Sequence, residues 1–424
     1  MVGADPFAEL KPPMTPDEAL AESSRCLFCY DAPCTRACPT HIDVPGFIKK
    51  ISTGNLRGSA RTILEANILG ASCARVCPTE VLCEGACVLG ALHKRPIDIG
   101  RLQRHATDWV IAKNERLFEP GLPCGRRVAV VGAGPAGLAC AAELRRLGYD
   151  VVVFEASGLP GGLNTTGVAD YKMTLPVSLR EVDWVRELGV EIRFHTRVGP
   201  GGVPLAQLEA EFAAIFVGIG LGATRDVGLP GESLPGIRDA LHFIAELKQD
   251  RAAAAKALGR RVVVIGGGNT AIDAVTQSSR LGAPEVTLVY RRGPEDMSAY
   301  AHEVALAKGD GVRFLYRRQP VRFFGNHRVE GLVVSHGGRE ETLAADTVIK
   351  ATGQTPLSAF FAAVPDLVFE GNRPLHDPVT MQTGNPRYFV GGDGANGGKE
   401  VVNAVAEGKR AARGIDRWLR PRRS

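Results

Sequence analysis

In the stretch Val130-Val-Gly-Ala-Gly-Pro-Ala-Gly137, three glycines follow the order Gly-x-Gly-x-x-Gly. The apolar run 127–131 predicts a buried strand, the run 138–147 has helical periodicity, and the run 150–154 predicts a second strand. These elements form a βαβ unit. A glycine-rich turn between the first strand and the helix is typical of a fold that binds dinucleotides.

The same order of elements occurs a second time. The run 261–265 predicts a strand, 271–281 a helix and 286–290 another strand, with a glycine turn that starts at Gly266. The chain is therefore expected to contain two α/β domains with parallel sheets, related by duplication.

Cysteines dominate the region before these domains. Eight of the ten cysteines lie in two groups, Cys26-x2-Cys29-x4-Cys34-x3-Cys38-Pro39 and Cys73-x3-Cys77-Pro78-x4-Cys83-x3-Cys87. Short spacings let one loop wrap a cubane cluster, and a Cys-Pro step often sends its thiol to the neighbouring cluster. We expect two iron–sulfur clusters. The alternative is a pair of four-cysteine zinc sites, but zinc accepts no single electrons from the domains that follow.

Short helices are expected around the thiols. Thr15-Pro-Asp-Glu18 has the form of a capping box, so a helix should run from it towards Cys26. A second such start, Thr40-His-Ile-Asp43, precedes a predicted helix over 44–51, and 56–66 predicts another. Residues 1–120 thus read as a helical domain whose loops carry the cysteines.

Composition limits the kind of protein. Apolar residues make up 45% and charged residues 23%, and the net charge is only +5, which is ordinary for a soluble protein and gives no sign of nucleic-acid binding. The first ten residues of the sequence lack a basic segment followed by an apolar stretch, and no run of eighteen apolar residues occurs. We expect a cytoplasmic protein without a membrane span, whose thiols are not disulfides.

The first glycine turn has the parts of a dinucleotide site. Gly132 permits the tight turn, Gly134 lets the backbone approach a pyrophosphate, and Gly137 lets helix and strand pack closely. Glu155, at the end of the second strand, is suited to bind a ribose hydroxyl.

Two further glycine segments suit a long cofactor such as FAD. The turn Gly158-Leu-Pro-Gly161-Gly162-Leu163 is one, with an ordinary loop as the alternative. The other is Tyr388-Phe-Val-Gly-Gly392-Asp393, a strand before a Gly-Asp turn and a helix predicted over 398–412. Asp393 is expected to bond a flavin ribityl chain, to cap the helix, or both.

The second glycine turn, Gly266-Gly-Gly268-Asn-Thr-Ala271, has Ala as its last member, and its next strand ends in Tyr290-Arg-Arg292. Arg291 and Arg292 favour the 2′-phosphate of NADP. Glu295 and Asp296 oppose it, so these residues leave the choice of nicotinamide open.

Taken together, these motifs resemble the FAD- and NAD(P)-binding half of dihydropyrimidine dehydrogenase, especially the separate small subunit found in bacteria. They are also similar to the small subunit of glutamate synthase. The resemblance covers nearly the whole chain, from Arg25-Cys-Leu-Phe-Cys29 through Gly391-Gly-Asp393 to Gly408. It implies a helical iron–sulfur domain over 1–120, an FAD domain over 121–245 and 346–424, and an NAD(P) domain over 246–345 inserted into it.

The resemblance also implies a role for individual residues. One 4Fe-4S cluster is expected on Cys26, Cys29, Cys34 and Cys87, and the other on Cys38, Cys77, Cys83 and Gln103. On spacing alone Cys73 rivals Gln103, which reads as a surface helix residue. The FAD site is expected at Gly132, Ala133, Gly134, Pro135, Ala136, Gly137, Glu155, Gly161, Gly162, Leu163, Lys172, Gly392 and Asp393. The nicotinamide site is expected at Gly266, Gly268, Asn269, Thr270, Arg291, Arg292, Ala351, Thr352 and Gly353.

The implied function is electron input from a nicotinamide, through FAD and the clusters, to a catalytic FMN and iron–sulfur subunit that interconverts uracil or thymine and their 5,6-dihydro forms. No protein side chain is expected to be catalytic, because the cofactors carry the chemistry. Ser298 falls where NADPH-dependent relatives have a third basic residue, which favours NADH over NADPH.

Two rival functions remain open. One is the glutamate synthase small subunit, against which Gln103, Asp31-Ala-Pro-Cys34 and Gly397-Gly-Lys-Glu400 favour the pyrimidine enzyme. The other is a redox-sensing metal-binding scaffold without turnover.

Overall fold

The structure is a computed structural model, and it describes residues 5–420. The chain divides into two compact units. The larger unit contains Lys11–Thr165, Leu175–Leu221 and the chain from Pro356 onward, and the smaller unit contains the chain up to Leu10, Thr166–Thr174 and Gly222–Thr355.

The helices have the following bounds. They are α1 Pro16–Ser24, α2 Pro33–Ala37, α3 Val44–Ser52, α4 Leu56–Ala66, α5 Gly70–Val76, α6 Val88–Ala91, α7 Ile99–Lys113, α8 Pro135–Arg146, α9 Leu163–Thr166, α10 Leu175–Glu187, α11 Leu205–Glu211, α12 Ala240–Gln249, α13 Arg251–Ala257, α14 Asn269–Arg280, α15 Ala301–Gly309, α16 Ser358–Ala362, α17 Asp393–Asn396 and α18 Val401–Leu419. Single 3-10 turns lie at Thr79–Val81 and Pro294–Asp296.

The strands are mostly short. They are β1 Arg127–Val131, β2 Asp150–Phe154, β3 Glu191–Arg193, β4 Ala214–Val217, β5 Ile237–Asp239, β6 Arg261–Ile265, β7 Glu285–Tyr290, β8 Arg313–Tyr316, β9 Gln319–Phe324, β10 Gly331–His336, β11 Arg339–Ala344, β12 Thr347–Lys350, β13 Phe369–Glu370, β14 Arg373–Pro374 and β15 Tyr388–Val390.

Seven helices, α1 to α7, form the first part of the larger unit. Apolar residues at helical spacing, such as Phe47 and Ile48 of α3 and Ile63 of α4, pack with Leu102 of α7 in one core. The capping box predicted at Thr15 is present: the Glu18 N–H donates to Thr15 Oγ1 at 3.2 Å, and the Thr15 N–H donates to Glu18 Oε2 at 2.8 Å.

The second predicted capping box is wrong. Helix α3 begins after Asp43, whose Oδ1 accepts from the Gly46 N–H at 3.0 Å, and not at Thr40. His41, with φ of +52°, lies between Thr40 and the helix. A left-handed residue interrupts a right-handed helix, so the cap is Asp43, three residues after Thr40, and the helix predicted over 44–51 is present.

A five-stranded parallel sheet of order β15-β4-β1-β2-β3 forms the rest of the core of the larger unit. In β1, Val128 and Val130 pack in one apolar cluster, whereas Ala129 and Val131 pack in another. Burial of both faces explains why the strand reads as an uninterrupted apolar run.

The smaller unit repeats this pattern. Its parallel sheet has the order β5-β12-β6-β7-β8, with β6 in the place that β1 takes in the first sheet. The antiparallel strands β9, β10 and β11 form a second sheet. Strands β5 and β12 lie just outside the range 246–345 predicted for this domain.

The end of the larger unit differs from the predicted helix over 398–412. The short helix α17 stops where Gly397 and Gly398 take φ of +86° and +105°, and α18 starts after Glu400 and continues to Leu419. Asp393 is therefore not the cap of the long helix, because two left-handed glycines separate it from α18.

Within residues 5–420, no helix combines the length and the apolar character needed to cross a membrane.

Candidate cofactor-binding site

Cysteines of both sequence groups line a first cavity in the larger unit. The thiols are those of Cys26, Cys29, Cys34 and Cys87. The remaining wall comes from Leu27, Pro33, Val44, Pro45, Ile48, Val88, Leu89, Ile97 and Ile99. The four predicted ligands of one cluster are thus brought together, although Cys34 and Cys87 are far apart in the sequence.

A second cavity contains the other predicted ligands. Cys38, Cys77, Cys83 and Gln103 line it, and so does the rival Cys73. Gln103, on α7, is buried, and its Nε2 donates to the Gly70 carbonyl at 2.7 Å. Because the amide nitrogen donates to this carbonyl, the amide oxygen is the atom that remains to coordinate a metal. The expectation from periodicity that Gln103 is a surface residue is wrong.

Burial affects the thiols themselves. It raises the pKa of Cys34 to about 11 and raises the pKa of Cys26 and of Cys83. The neighbouring Cys73 thiol and burial together raise the pKa of Cys77 well above its usual value. These thiols are protonated at neutral pH in the absence of metal, so a bound cluster must displace their protons.

The two cavities differ in polarity. Apart from its thiols the first has only apolar side chains in its wall, whereas the second also has Asn67, Thr79 and Gln103. Within the described chain, no three or more His, Cys, Asp or Glu side chains form a group that would hold a single metal ion. Two sets of four donors around separate cavities fit cubane clusters, whose thiolate ligands surround a volume and not a point.

The first glycine turn has the expected geometry. Gly132 has φ of +100°, and a Cβ added there would lie 2.5 Å from the Gly218 carbonyl oxygen. A Cβ added to Gly137 would lie 1.9 Å from the Gly132 carbonyl oxygen, so only glycine lets α8 pack this closely. At Gly134 an added Cβ meets nothing nearer than 4.0 Å, which leaves room for a phosphate beside the start of α8.

Three segments meet the same turn. Glu155 Oε2 accepts from the Ala133 N–H at 2.8 Å, and the Gly161 N–H donates to the Ala133 carbonyl at 2.8 Å. Gly392, beside Asp393, approaches α8 so closely that its added Cβ would lie 3.1 Å from Ala136 Cβ. The larger unit thus brings together the predicted FAD residues, except Lys172.

Two buried polar atoms near this turn have no hydrogen-bond partner within residues 5–420. They are Asn164 Oδ1 and Thr165 Oγ1, on the short helix α9 after Gly162 and Leu163. Buried polar atoms are nearly always paired, so unpaired ones beside a glycine turn fit a site for a polar cofactor. Burial also raises the pKa of Asp393, whose Oδ1 accepts from the Lys399 N–H at 3.2 Å.

Sequence patterns gave no sign of a buried carboxylate, Glu181, that contacts α5, the helix that carries Cys73. Glu181 Oε1 accepts from the N–H groups of Ala71 and Ser72 at 2.7 and 3.0 Å, and the Ser72 hydroxyl also contacts Glu181 Oε2. Asn164 Nδ2 donates to Ser72 Oγ at 2.8 Å. Glu181 thereby joins α10 to α5, Ser72 links α5 to α9, and burial raises the pKa of Glu181 to about 7. No local motif marks Glu181, because its partners are distant in the sequence.

Lys172 lies in the smaller unit. Its ammonium pairs with Asp273 at 2.7 Å and with Glu303 at 2.6 Å, and the Tyr171 hydroxyl donates to Asp273 at 3.0 Å. Lys172 thus holds the segment 166–174 on α14 and α15.

A cleft of about 570 Å³ lies at the glycine turn of the smaller unit. Nearly all the predicted nicotinamide residues line it: Gly266, Gly268, Thr270, Arg291, Arg292, Ala351, Thr352 and Gly353. Asn269 is not among the lining residues, and its Oδ1 accepts from the Tyr300 N–H at 3.0 Å. The volume lies in the range of small-molecule and cofactor sites.

Glu295 and Asp296, the two acidic residues expected to oppose a 2′-phosphate, have other partners. Glu295 pairs with Arg317 at 2.9 Å, and Asp296 Oδ2 accepts from the Gly293 N–H at 3.2 Å, so neither carboxylate is directed at Arg291 or Arg292. Ser298 lines the cleft, at the position that the resemblance makes basic in NADPH-dependent relatives.

Two family models match the chain. The model for dihydropyrimidine dehydrogenase domain II, 4Fe-4S cluster, matches residues 4–115, and the model for pyridine nucleotide-disulphide oxidoreductases matches residues 126–408.

Relatives of nearly equal length are similar throughout. A protein of Salmonella typhi, the NAD-dependent dihydropyrimidine dehydrogenase subunit PreT homolog, is 38% identical over 97% of both chains. The glutamate synthase [NADPH] small chain of Escherichia coli is 34% identical over 97% of this chain and 94% of the relative.

Solved structures share the fold of the nucleotide-binding part. The thioredoxin reductase of T. acidophilum gives a TM-score of 0.57 at 20% identity, covering 68% of this chain and 98% of its own. FprA of Mycobacterium tuberculosis in complex with NADPH gives 0.56 at 20% identity, covering 69% and 84%.

These matches agree with the geometry of both units: the 4Fe-4S model covers the cysteine-lined cavities, and the oxidoreductase model covers both glycine turns. The chain belongs to the pyridine nucleotide-disulphide oxidoreductase family, and it is an NAD(P)H-dependent flavoprotein oxidoreductase with an N-terminal 4Fe-4S domain.

Proposed function

We propose that this chain is the electron-input subunit of an NAD-dependent dihydropyrimidine dehydrogenase. It moves electrons between NADH and a catalytic FMN and iron–sulfur subunit through FAD and two 4Fe-4S clusters, and the pair interconverts uracil or thymine and the 5,6-dihydropyrimidines in the cytoplasm. The observation that carries the proposal is the presence, in one compact unit, of two cavities with four predicted ligands each and a glycine turn suited to FAD.

The residues of the chain bind and orient the cofactors. The turn 132–137 and the start of α8 would hold the pyrophosphate of FAD, Glu155 would bind its ribose, and Asp393 would bond its ribityl chain. When bound, FAD takes up a hydride and the clusters carry single electrons, so the redox chemistry belongs to the cofactors. The apolar wall of the first cavity keeps water from that cluster, which protects it and helps to set its potential.

The nicotinamide is assigned to the cleft at Gly266–Gly268, with NADH as the physiological donor. Ser298 supports NADH because its hydroxyl adds no third positive charge for a 2′-phosphate beside Arg291 and Arg292. Two similar relatives are named NAD-dependent, although the glutamate synthase relatives are named for NADPH.

A reconstituted pair tests the proposed reaction. The chain is produced together with a candidate FMN and iron–sulfur barrel subunit, and NADH oxidation is followed with uracil. Oxidation that depends on uracil and yields 5,6-dihydrouracil supports the proposal. Oxidation that depends on 2-oxoglutarate and glutamine, with a large amidotransferase as the partner, would assign the chain to glutamate synthase instead.

A further inference from the structure

Asn67 occupies a buried position between α4 and α5, and α5 carries Cys73 and the Gly70 carbonyl that binds Gln103. It ends α4, where its N–H donates to the Ile63 carbonyl at 2.8 Å. Its side-chain Oδ1 accepts from the Leu69 N–H at 3.0 Å, just before α5. Because that N–H needs an acceptor, the contact fixes the amide oxygen on this side and sends Nδ2 to the other.

The amide nitrogen of Asn67 is a donor without an acceptor in the described part of the chain. Asn67 has no exposed surface, and its Nδ2 has no hydrogen-bond partner among the described residues. The side chain lines the second cavity, with Cys38, Cys77 and Cys83. A buried donor without an acceptor is costly, so the position makes physical sense when the occupant of the cavity accepts the bond.

A 4Fe-4S cluster would supply such acceptors. Its sulfide and thiolate sulfurs carry negative charge, and hydrogen bonds to them are among the factors that set cluster potentials. A donor interacts more strongly with the more negative reduced cluster, so an amide N–H raises the reduction potential. Apart from its thiols, the first cavity has no side-chain hydrogen-bond donor in its wall, and it therefore serves as an internal control.

We propose that the Asn67 amide donates a hydrogen bond to a sulfur of the second cluster and raises its reduction potential relative to that of the first. The inference rests on the proposed function, since it requires both clusters. It assigns Asn67 a role beyond ending α4.

The experiment compares redox titrations of the whole chain, anaerobically reconstituted with iron and sulfide and followed by EPR. Asn67→Leu removes the donor and the acceptor, and Asn67→Asp removes the donor but keeps an acceptor for the Leu69 N–H. Asn372→Leu, in an exposed turn of the same unit, is the matched control. Both Asn67 variants should lower the reduction potential of one cluster by about 59 mV, which corresponds to a tenfold change in the one-electron equilibrium constant. The other cluster and the control should not change.

A spectroscopic measurement on the wild-type sequence avoids any effect of substitution on assembly. With ¹⁵N-labelled asparagine, pulsed EPR of the reduced chain should detect a coupling between one cluster and a labelled amide. Absence of the coupling, or unchanged potentials in both Asn67 variants with intact clusters, overturns the inference alone. A wild-type chain that binds neither iron nor sulfide overturns the proposed function as well.

Discussion

At the scale of the residue, Gln103 and Cys73 lie on the wall of the same cavity as competing donors for one cluster position. Gln103 Nε2 donates to the Gly70 carbonyl, which leaves the amide oxygen as the ligand atom of this side chain, whereas Cys73 lies beside Cys77. A neutral amide oxygen in place of a thiolate makes the cluster less negative.

We expect Gln103→Ala to change or abolish the EPR signal of one cluster, because the substitution removes the proposed ligand. Cys73→Ala should keep both clusters, and it is the matched control from the same cavity. Iron content and EPR of the two variants measure this. Loss of a cluster in Cys73→Ala together with unchanged spectra in Gln103→Ala would reverse the assignment.

Ser298 provides a prediction on the choice of nicotinamide. The wild type should prefer NADH when NADH and NADPH are compared at equal low concentrations. Ser298→Arg should raise kcat/KM for NADPH about tenfold, because a guanidinium adds a charge-assisted hydrogen bond to the 2′-phosphate. Ser233→Arg, at an exposed position of the same unit that does not line the cleft, is the control. A wild type with a large preference for NADPH would refute the assignment of NADH.

Only part of the residue detail could be predicted from the sequence. The glycines and cysteines were found because their spacing is local and their chemistry is distinctive. Asn67 reads as an ordinary helix end, and Glu181 as one acidic residue of an amphipathic helix. Their importance depends on contacts with residues distant in the sequence, which no local pattern reports.

At the scale of the element, Glu181 joins three helices of the larger unit. It accepts the free N–H groups of the first turn of α5, and through Ser72 it contacts Asn164 of α9. Helix α5 carries Cys73 and precedes Cys77, while α9 follows the glycine turn at 161–162. The carboxylate therefore fixes a thiol helix relative to the proposed flavin site.

We expect Glu181→Ala to be strongly destabilising, because it leaves two buried N–H groups and a hydroxyl without their acceptor. The cost should be on the order of 3 kcal/mol or more, and it would appear as a lower midpoint of thermal unfolding. Glu181→Gln retains an acceptor oxygen and should cost less. Equal melting of the alanine variant and the wild type would show that the network does not support α5.

The pH dependence of stability provides a separate test of Glu181. Burial raises its pKa from the ordinary 4.5 to about 7, so the folded protein holds a proton that the unfolded chain releases. Stability should therefore fall as pH rises through this window, by about 3 kcal/mol, and become constant above it. Unfolding measured from pH 5 to 8 should show a shallower decline in Glu181→Gln. Identical pH profiles would contradict this role.

Element boundaries were predicted well where the signal is local. The capping box at Thr15 and the helix Leu56–Ala66 are present as expected, and so are β1, β2 and β6. The helix over 44–51 is also present, but its cap at Thr40 and the helix start at Gly398 were wrong, because the backbone is left-handed at His41 and at Gly397 and Gly398. At a non-glycine residue such as His41, left-handed backbone depends on tertiary packing more than on residue type.

At the scale of the whole molecule, the two parallel sheets have corresponding strand orders, as the duplicated motif predicted. The outermost strand is where they differ. In the larger unit it is β15, from the end of the chain, whereas in the smaller unit it is β5, which precedes the glycine turn. Short strands that come from a distant part of the chain carry little sequence signal, so their pairing was not predicted.

The proposed function assigns NADH oxidation to this chain and uracil reduction to its partner, which predicts how each behaves alone. The isolated chain, loaded with its cofactors, should reduce an artificial acceptor such as ferricyanide with NADH but should not reduce uracil. Addition of the catalytic subunit should make NADH oxidation depend on uracil. Absence of NADH-dependent reduction of the acceptor by a flavin-loaded chain would favour the redox-sensing scaffold over the electron-input subunit.

The content of iron and acid-labile sulfide in the anaerobically purified chain distinguishes two 4Fe-4S clusters from zinc sites. Two cavities with four ligands each predict about eight iron and eight sulfide per chain, with a brown colour and EPR signals on reduction. About two zinc per chain, with no iron and no labile sulfide, would contradict the account.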